Sequence, residues 1–176
     1  MPERYVALLR GINVGRAKRV AMADLRNAVN SLGHSDVKTL LNSGNVVFTA
    51  KKAPTEKALQ NAVLEATGVS SDVIVLSGKQ LTSVVDENSL ADVATDPSRL
   101  QVMFFTDDRD RKQLRKLTAQ LWDPEQVAVG RHAAYLWCPN GILSSPLMDA
   151  VGEQDFDGTV TTRNWRTVTK LRALLD

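Results

Sequence analysis

Two runs in this chain, YVALLR (Tyr5–Arg10) and LQVMFF (Leu100–Phe105), lack the alternation of apolar and polar residues that a strand wet on one face shows. Each therefore reads as a strand covered on both sides. A four-stranded sheet with helices on one side normally leaves its other face to water. Here that second face needs a cover of its own. The sister half of the chain, an extra helix and a second copy of the chain are the three covers the sequence offers.

The segments downstream of each run narrow the fold. After Tyr5–Arg10, MADLRNAVNSLG places Met22, Leu25, Ala28, Val29 and Leu32 at helical spacing, with Gly33 as its stop. DVKTLLNSGNVVFTA divides at Ser43-Gly44-Asn45 into strands Val37–Leu41 and Val46–Thr49. PTEKALQNAVLEATG is a second helix, from Pro54 to Gly68, and Val73–Leu76 a further strand.

In the second half, KQLTSVVDE is helix-like and NSLADVATDPSR is a polar connection. LQVMFF is followed by DRDRKQLRKLTAQLW, a helix with Leu114, Leu117 and Leu121 in register. QVAVG and AAYLWC form a hairpin, SPLMDAVGEQ a short helix, GTVTT a short strand, and NWRTVTKLRALL a closing helix. The order β-α-β-β-α-β thus occurs twice. The expected class is α+β, with two ferredoxin-like subdomains in tandem and an extra C-terminal helix. The expected divisions are residues 1–78, a helix and linker over 79–99, and 100–176. The duplication is a statement about element order and not about sequence identity.

Composition excludes several classes. Hydrophobic residues are 43% and charged residues 24% of 176, which is globular and not disordered. A single cysteine leaves no disulfide framework and suits a reducing cytoplasm, the expected location. The N-terminus reads as a strand and not a signal peptide, and no apolar stretch approaches the roughly 20 residues of a membrane helix. Net charge is +2, so only a local concentration of charge argues for a polyanionic partner.

RGINVGRAKRVAM, Arg10–Met22, is such a concentration. It leaves an apolar strand, passes Gly11 and Gly15, collects Arg10, Arg16, Lys18 and Arg19, and enters a helix. The spacing fits neither GxxxxGK[ST] nor GxGxxG, and no Ser or Thr follows the lysine. A generic anion site survives, made of turn amides, a helix N-terminus and the cations. The competing reading is a tight turn with solvated charges. NSGN, Asn42–Asn45, is explained by turn chemistry alone. The end of the first strand is expected at the opposite end of the sheet from the start of the third, so these two loops are not expected to meet.

In TTRNWRTVTK, Thr161 or Thr162 is expected to cap the closing helix, leaving Arg163, Asn164 and Trp165 in its first turn. A cation there opposes the helix dipole, so either an anion lies near it or Arg163 makes a surface salt bridge. Cys138 and His132 are six positions apart, roughly 20 Å along a strand, which disfavours a nucleophile–base pair. Asp107, Asp108 and Asp110, interleaved with cations, read as helix capping and not as metal ligands. One cysteine and two separated histidines make no zinc set, and no metal or cofactor is expected. Aromatics are only 5% of the chain, and neither YVALLRG nor NVVFTA resembles the aromatic-rich pattern of an RNA-binding sheet, so nucleic acid is disfavoured as a partner.

ALLRGINVG with the helix after it, LNSGNVVF and TTRNWRTVTKL together resemble the bacterial domain-of-unknown-function family 1697. The resemblance implies a two-part α+β protein of ferredoxin-like character and brings no established activity. The matching positions are Arg10, Gly11, Asn13, Gly15, Ser43, Gly44, Asn45, Arg163, Asn164 and Trp165. This chain departs from the family pattern in Arg16, where relatives favour glycine, in Ala21, where they favour proline, and in Leu40-Leu41-Asn42.

The expected function is binding of a phosphate- or carboxylate-bearing small molecule in a cleft between subdomains. Its candidate residues are Arg10, Gly11, Asn13, Gly15, Lys18, Ser43, Asn45, Arg163 and Asn164. The alternatives are an enzyme acting on a small acidic or phosphorylated metabolite, for which no catalytic residue is assigned, and weak nucleic-acid binding through Arg10–Arg19. A homodimer fits the two-sided strands.

Overall fold

A computed structural model covers residues 1–176. The elements in order are β1 (Glu3–Leu9), α1 (Met22–Ser31), β2 (Ser35–Leu40), β3 (Asn45–Ala50), α2 (Glu56–Thr67), β4 (Val73–Ser77) and α3 (Gly78–Asp86). Then come β5 (Leu100–Phe105), α4 (Asp108–Leu117), β6 (Gln126–Val129), β7 (Ala133–Trp137), a 3-10 turn at Ile142–Ser144, α5 (Pro146–Gly152), β8 (Val160–Asn164) and α6 (Trp165–Ala173). The protein is a mixed α+β structure with two antiparallel sheets, ordered β2-β3-β1-β4 and β6-β7-β5-β8. The chain divides into two compact units, Met1–Leu81 with Leu171–Asp176, and Thr82–Lys170.

In the first unit, Leu25, Ala28 and Val29 of α1 and Leu59, Ala62 and Val63 of α2 recur at helical spacing and are buried. They pack on Tyr5, Ala7, Leu9, Val46 and Phe48 from alternate positions of β1 and β3. Burying each large apolar side chain contributes roughly 1.5–3 kcal/mol, so these two stripes account for why the helices lie on this face. Thr55 caps α2 by accepting from the Ala58 amide at 3.1 Å, and Gly68 ends it in a left-handed conformation. The other face of the same strands is also closed: Val6, Leu8 and Val47 are fully buried.

The second unit repeats the logic. Leu114, Leu117, Leu147 and Val151 cover Met103, Ala134 and Leu136. On the opposite face Val102, Phe104 and Tyr135 are buried. There the Tyr135 hydroxyl donates to the Val84 carbonyl of α3 at 2.5 Å, so α3 supplies part of that cover within the unit. Helix α4 is shorter than its leucine spacing predicts. It ends at Leu117 because Trp122 folds back, donates its indole N–H to the Leu117 carbonyl at 2.8 Å and packs on the core. Leu121 consequently stands in solvent.

Two further expectations are corrected. Asp107 caps α4, accepting from the Arg109 amide at 2.8 Å, but Asp110 is wholly buried and does something else. Its two carboxylate oxygens accept from the amides of Asp157 at 2.7 Å and Gly158 at 2.9 Å, fastening the segment before β8 to α4. Thr161 and Thr162 are strand residues and not caps. Strand β8 continues through Asn164, whose side-chain oxygen accepts from the Thr167 amide at 2.9 Å and starts α6.

Asp110→Ala leaves two backbone donors without their acceptor, and each bond to a charged group is worth about 1.5–3 kcal/mol. A loss of at least about 2 kcal/mol is expected in urea unfolding, and an unchanged midpoint would refute the role. A second expectation concerns His34, stacked on Phe48 with ring centroids 4.9 Å apart. Burial holds its pKa below the ordinary 6.5. The unfolded chain therefore takes up this proton first as pH falls. This contribution to stability is complete above pH 6.5 and diminishes as pH drops through the folded value. His34→Gln should flatten the pH dependence of the unfolding midpoint between about pH 7.5 and 5.

Candidate functional site

The connection from β1 to α1 is built from residues that leave the right-handed region. Gly11, Asn13, Gly15 and Lys18 have φ of 70°, 55°, 59° and 51°. Asn13 and Lys18 bond across a small hairpin, with the Asn13 amide donating to the Lys18 carbonyl at 2.9 Å. Val14 and Ala17 bridge inside it, leaving Gly15 and Arg16 at the tip. Asn13 then anchors the hairpin. Its side-chain oxygen accepts from the Val20 amide at 2.9 Å, and its side-chain nitrogen donates to the Val20 carbonyl at 2.9 Å and the Asn42 carbonyl at 2.7 Å. Ile12 and Val20 are buried beneath.

The contact with Asn42 overturns the expectation that the two loops lie at opposite ends of the sheet. β1 and β3 are antiparallel, with Leu8 opposite Asn45, so the end of one strand stands beside the start of the other. The Leu9 amide donates to the Gly44 carbonyl at 2.8 Å. Gly44 has φ of 93°, and a Cβ there would lie 2.7 Å from Leu9 Cβ and 3.0 Å from Ile12 Cδ1, so only glycine fits. Asn45 is fully buried and donates to the Leu40 carbonyl and the Ser43 hydroxyl, each at 2.8 Å. Arg10 is fixed through its backbone, its amide donating to the Asp72 carbonyl at 2.9 Å and its carbonyl accepting from the Ser71 hydroxyl at 2.8 Å.

Of the sequence-selected residues, Arg10, Gly11, Asn13, Gly15, Lys18, Ser43 and Asn45 thus gather at one end of the first sheet. Arg10, Arg16, Lys18 and Arg19 are exposed, and none joins any of the ion pairs, which lie at residues 96–112, 157 and 172–176. An open depression of about 310 Å³ lies where the hairpin enters α1, lined by Asn13, Arg19, Val20, Ala21, Met22 and Asn42. The N-terminus of α1 reaches it without a side-chain cap: Ala21 holds the cap position and offers no acceptor. The first helical bond is that of the Leu25 amide to the Ala21 carbonyl, so the amides of Met22, Ala23 and Asp24 have no acceptor within the helix. Sequence reasoning picks out the NSGN turn but explains Asn42 by turn chemistry and does not select it as a site residue. Its contribution is a backbone carbonyl, which leaves no mark on residue type.

A larger hollow of the first unit, about 600 Å³ between α1 and α2, is lined by small and amide side chains with Leu32 and Glu65 and no cation. It offers an anion nothing. Twelve Lys and Arg against seven Asp and Glu give the first unit a charge of +5, and ten against thirteen give the second −3.

Arg163 and Asn164 belong to the second sheet. Arg163 lies opposite Val102 in β8 and is buried, so it is not a surface ion-pair residue. Its guanidinium donates to the Thr161 hydroxyl at 2.8 Å and the Thr162 carbonyl at 3.0 Å, and burial lowers its pKa to about 10. Cys138 is buried, and desolvation pushes its thiol up to about 11, which is the opposite of an activated nucleophile. Its neighbour Ser145 donates to the buried Glu125 carboxylate, which also accepts from the Leu147 amide at 3.0 Å, and this group of side chains caps α5.

No helix is long and apolar enough to cross a membrane. No curated protein matches the sequence. Among solved structures, a conserved bacterial protein from Streptococcus pneumoniae, SP0830, matches with a TM-score of 0.77 and 24% identity, over 100% of both chains. At that identity the likeness speaks for the fold. Residues 2–135 match the family described as "Protein of unknown function (DUF1697)". The chain, matched over most of its length, belongs to the DUF1697 family.

Proposed function

We propose that the protein binds a small phosphate- or carboxylate-bearing molecule at the end of its first sheet, on a scaffold of two ferredoxin-like units. The strand order β2-β3-β1-β4, repeated as β6-β7-β5-β8, supports the scaffold reading. The observation that carries the ligand reading is the depression where the uncapped N-terminus of α1 meets Arg19, Asn13 and Asn42. Free amides at a helix start and an arginine beside them complement an anion by direction as well as by charge. Asn13 contributes by holding the hairpin to the entry of α1 and to the Asn42 turn, since its side chain is already fully engaged. Arg10, Arg16 and Lys18 raise the local potential around the same loop.

The corresponding position in the second unit supports the assignment by contrast. There the strand-to-helix connection is only Thr106 and Asp107, and Asp107 fills the start of α4 with its own carboxylate. The side-chain hydrogen bond from Arg109 holds that carboxyl at a pKa of about 2. An anion has no vacancy to fill there. In α1 the vacancy stands open.

Calorimetric titration with inorganic phosphate, pyrophosphate and simple carboxylates tests the reading. Saturable binding is expected, weakened about tenfold or more by Arg19→Ala, the loss of one charge-assisted hydrogen bond. Arg19→Ala should leave the urea midpoint in place because the side chain is exposed. Asn13→Ala should lower both affinity and stability, the latter by about 1–3 kcal/mol, because three bonds to the backbone are lost. If no anion of the panel binds, or if Arg19→Ala and Arg10→Ala both bind as the wild type does, the reading fails.

A further inference from the structure

The outer strands of the two sheets are not alike. On β2, Asp36 has φ of 51°, the register with β3 breaks between Ser35 and Lys38, and Lys38 puts a charge on the strand. These are the features by which an edge is kept from pairing with another chain. On β4, the Val75 amide is met by the Glu56 carboxylate at 3.4 Å. β8 carries the buried charge of Arg163, and β6 has none of these devices. Gln126-Val127-Ala128-Val129 carries no charge, no proline and no break in its register with β7.

Which of its backbone groups point outward is set by the hairpin itself. The Gly130 amide donates to the Ala133 carbonyl at 2.8 Å, so this pair is a hydrogen-bonded one. In an antiparallel ladder such pairs alternate. Ala128 with Tyr135 and Gln126 with Trp137 are then hydrogen-bonded, and Val127 and Val129 turn their amides and carbonyls away from β7.

We infer that β6 is a self-association edge, pairing antiparallel with β6 of a second copy about a two-fold axis at Ala128. In that register Val127 of one copy faces Val129 of the other, twice over, which satisfies all four outward amides and carbonyls. The small Ala128 side chains meet at the axis. Charge favours a second copy over an arbitrary strand. Asp123 precedes β6 and Arg131 follows it, both exposed and neither ion-paired within the chain; the Glu87 carboxylate accepts from the Arg131 backbone amide at 3.1 Å and leaves its guanidinium unpaired. Antiparallel pairing about Ala128 brings the acidic end of each strand toward the basic end of the other. A β2 edge, broken at Asp36, cannot offer this match. The product is one eight-stranded antiparallel sheet shared by two second units, an isologous contact that closes on itself. Only two short strands meet, so the association is weak and set by concentration.

Sedimentation velocity of the full chain, from about 10 µM to about 1 mM, reads the outcome. The wild type should pass from monomer to dimer over this range. Val129→Pro removes an outward amide while sparing the β7 ladder. With its circular dichroism unchanged, it should stay monomeric at every concentration. Asp123→Arg and Arg131→Asp should each shift the transition to at least several-fold higher concentration, and the two together should restore it. These charge variants decide the matter even if the proline variant fails to fold. A wild type that remains monomeric throughout overturns the inference. So does a dimer that neither Val129→Pro nor the charge reversals weaken, since it would use another surface.

Discussion

Because β1 runs antiparallel to β3, the residue that ends the first strand stands beside the residue that begins the third. The whole N-terminal site depends on that pairing. It places Leu8 against Asn45, lets the Leu9 amide reach the Gly44 carbonyl, and brings the Asn42 carbonyl within reach of the Asn13 side chain. Two loops separated by some thirty residues in sequence thereby become one surface. A left-handed glycine at position 44 is the local condition for it, since a side chain there would strike Leu9 and Ile12. The buried Asn45 secures the turn from beneath.

Asn13 converts this adjacency into a defined shape. A connection this long, rich in glycine and cations, would otherwise be free to sample many conformations. The Asn13 carboxamide pairs with both backbone groups of Val20 and so behaves like a further residue of a ladder. Asn tolerates the left-handed backbone this geometry requires, and its side chain carries a donor and an acceptor together. Aspartate lacks the donor, and alanine lacks both. The residue type is therefore dictated by shape-holding and not by contact with a ligand.

The fold was legible in the sequence where periodicity and turn chemistry agreed. The apolar stripes of α1 and α2, the break at Ser43–Asn45 and the two-sided burial of β1 and β5 all follow from residue type. Failures came where a single tertiary contact overrode local pattern. Leu121 continues the leucine spacing of α4, yet the Trp122 indole takes the Leu117 carbonyl and stops the helix. Thr161 and Thr162 look like caps, yet β5 pairs with them and hands that role to Asn164. Asp110 reads as one more acid at a helix start, and only the chain's return at Asp157 and Gly158 reveals why it is buried. The site was half legible: the cations and glycines stand out, but the neighbouring loop was misplaced by an error of strand direction.

The repeated strand order makes the second unit an internal comparison for the first. Both units place a helix start at the end of their leading central strand, and both helices present unsatisfied amides there. In α4 the chain answers with acids of its own: Asp107 at the cap and Asp108 and Asp110 in the first turn. In α1 the cap is Ala21, the residues before it are cationic, and Asp24 alone supplies an acid in the first turn. The same backbone dipole is thus neutralised from within in one unit and left to the solvent in the other. The difference follows from connection length. Thr106 and Asp107 leave room only for a cap, whereas Arg10–Ala21 is long enough to fold into a hairpin and carry four cations around an open helix end. One chain thus holds two versions of the same helix start, one closed by its own cap and the other left uncapped.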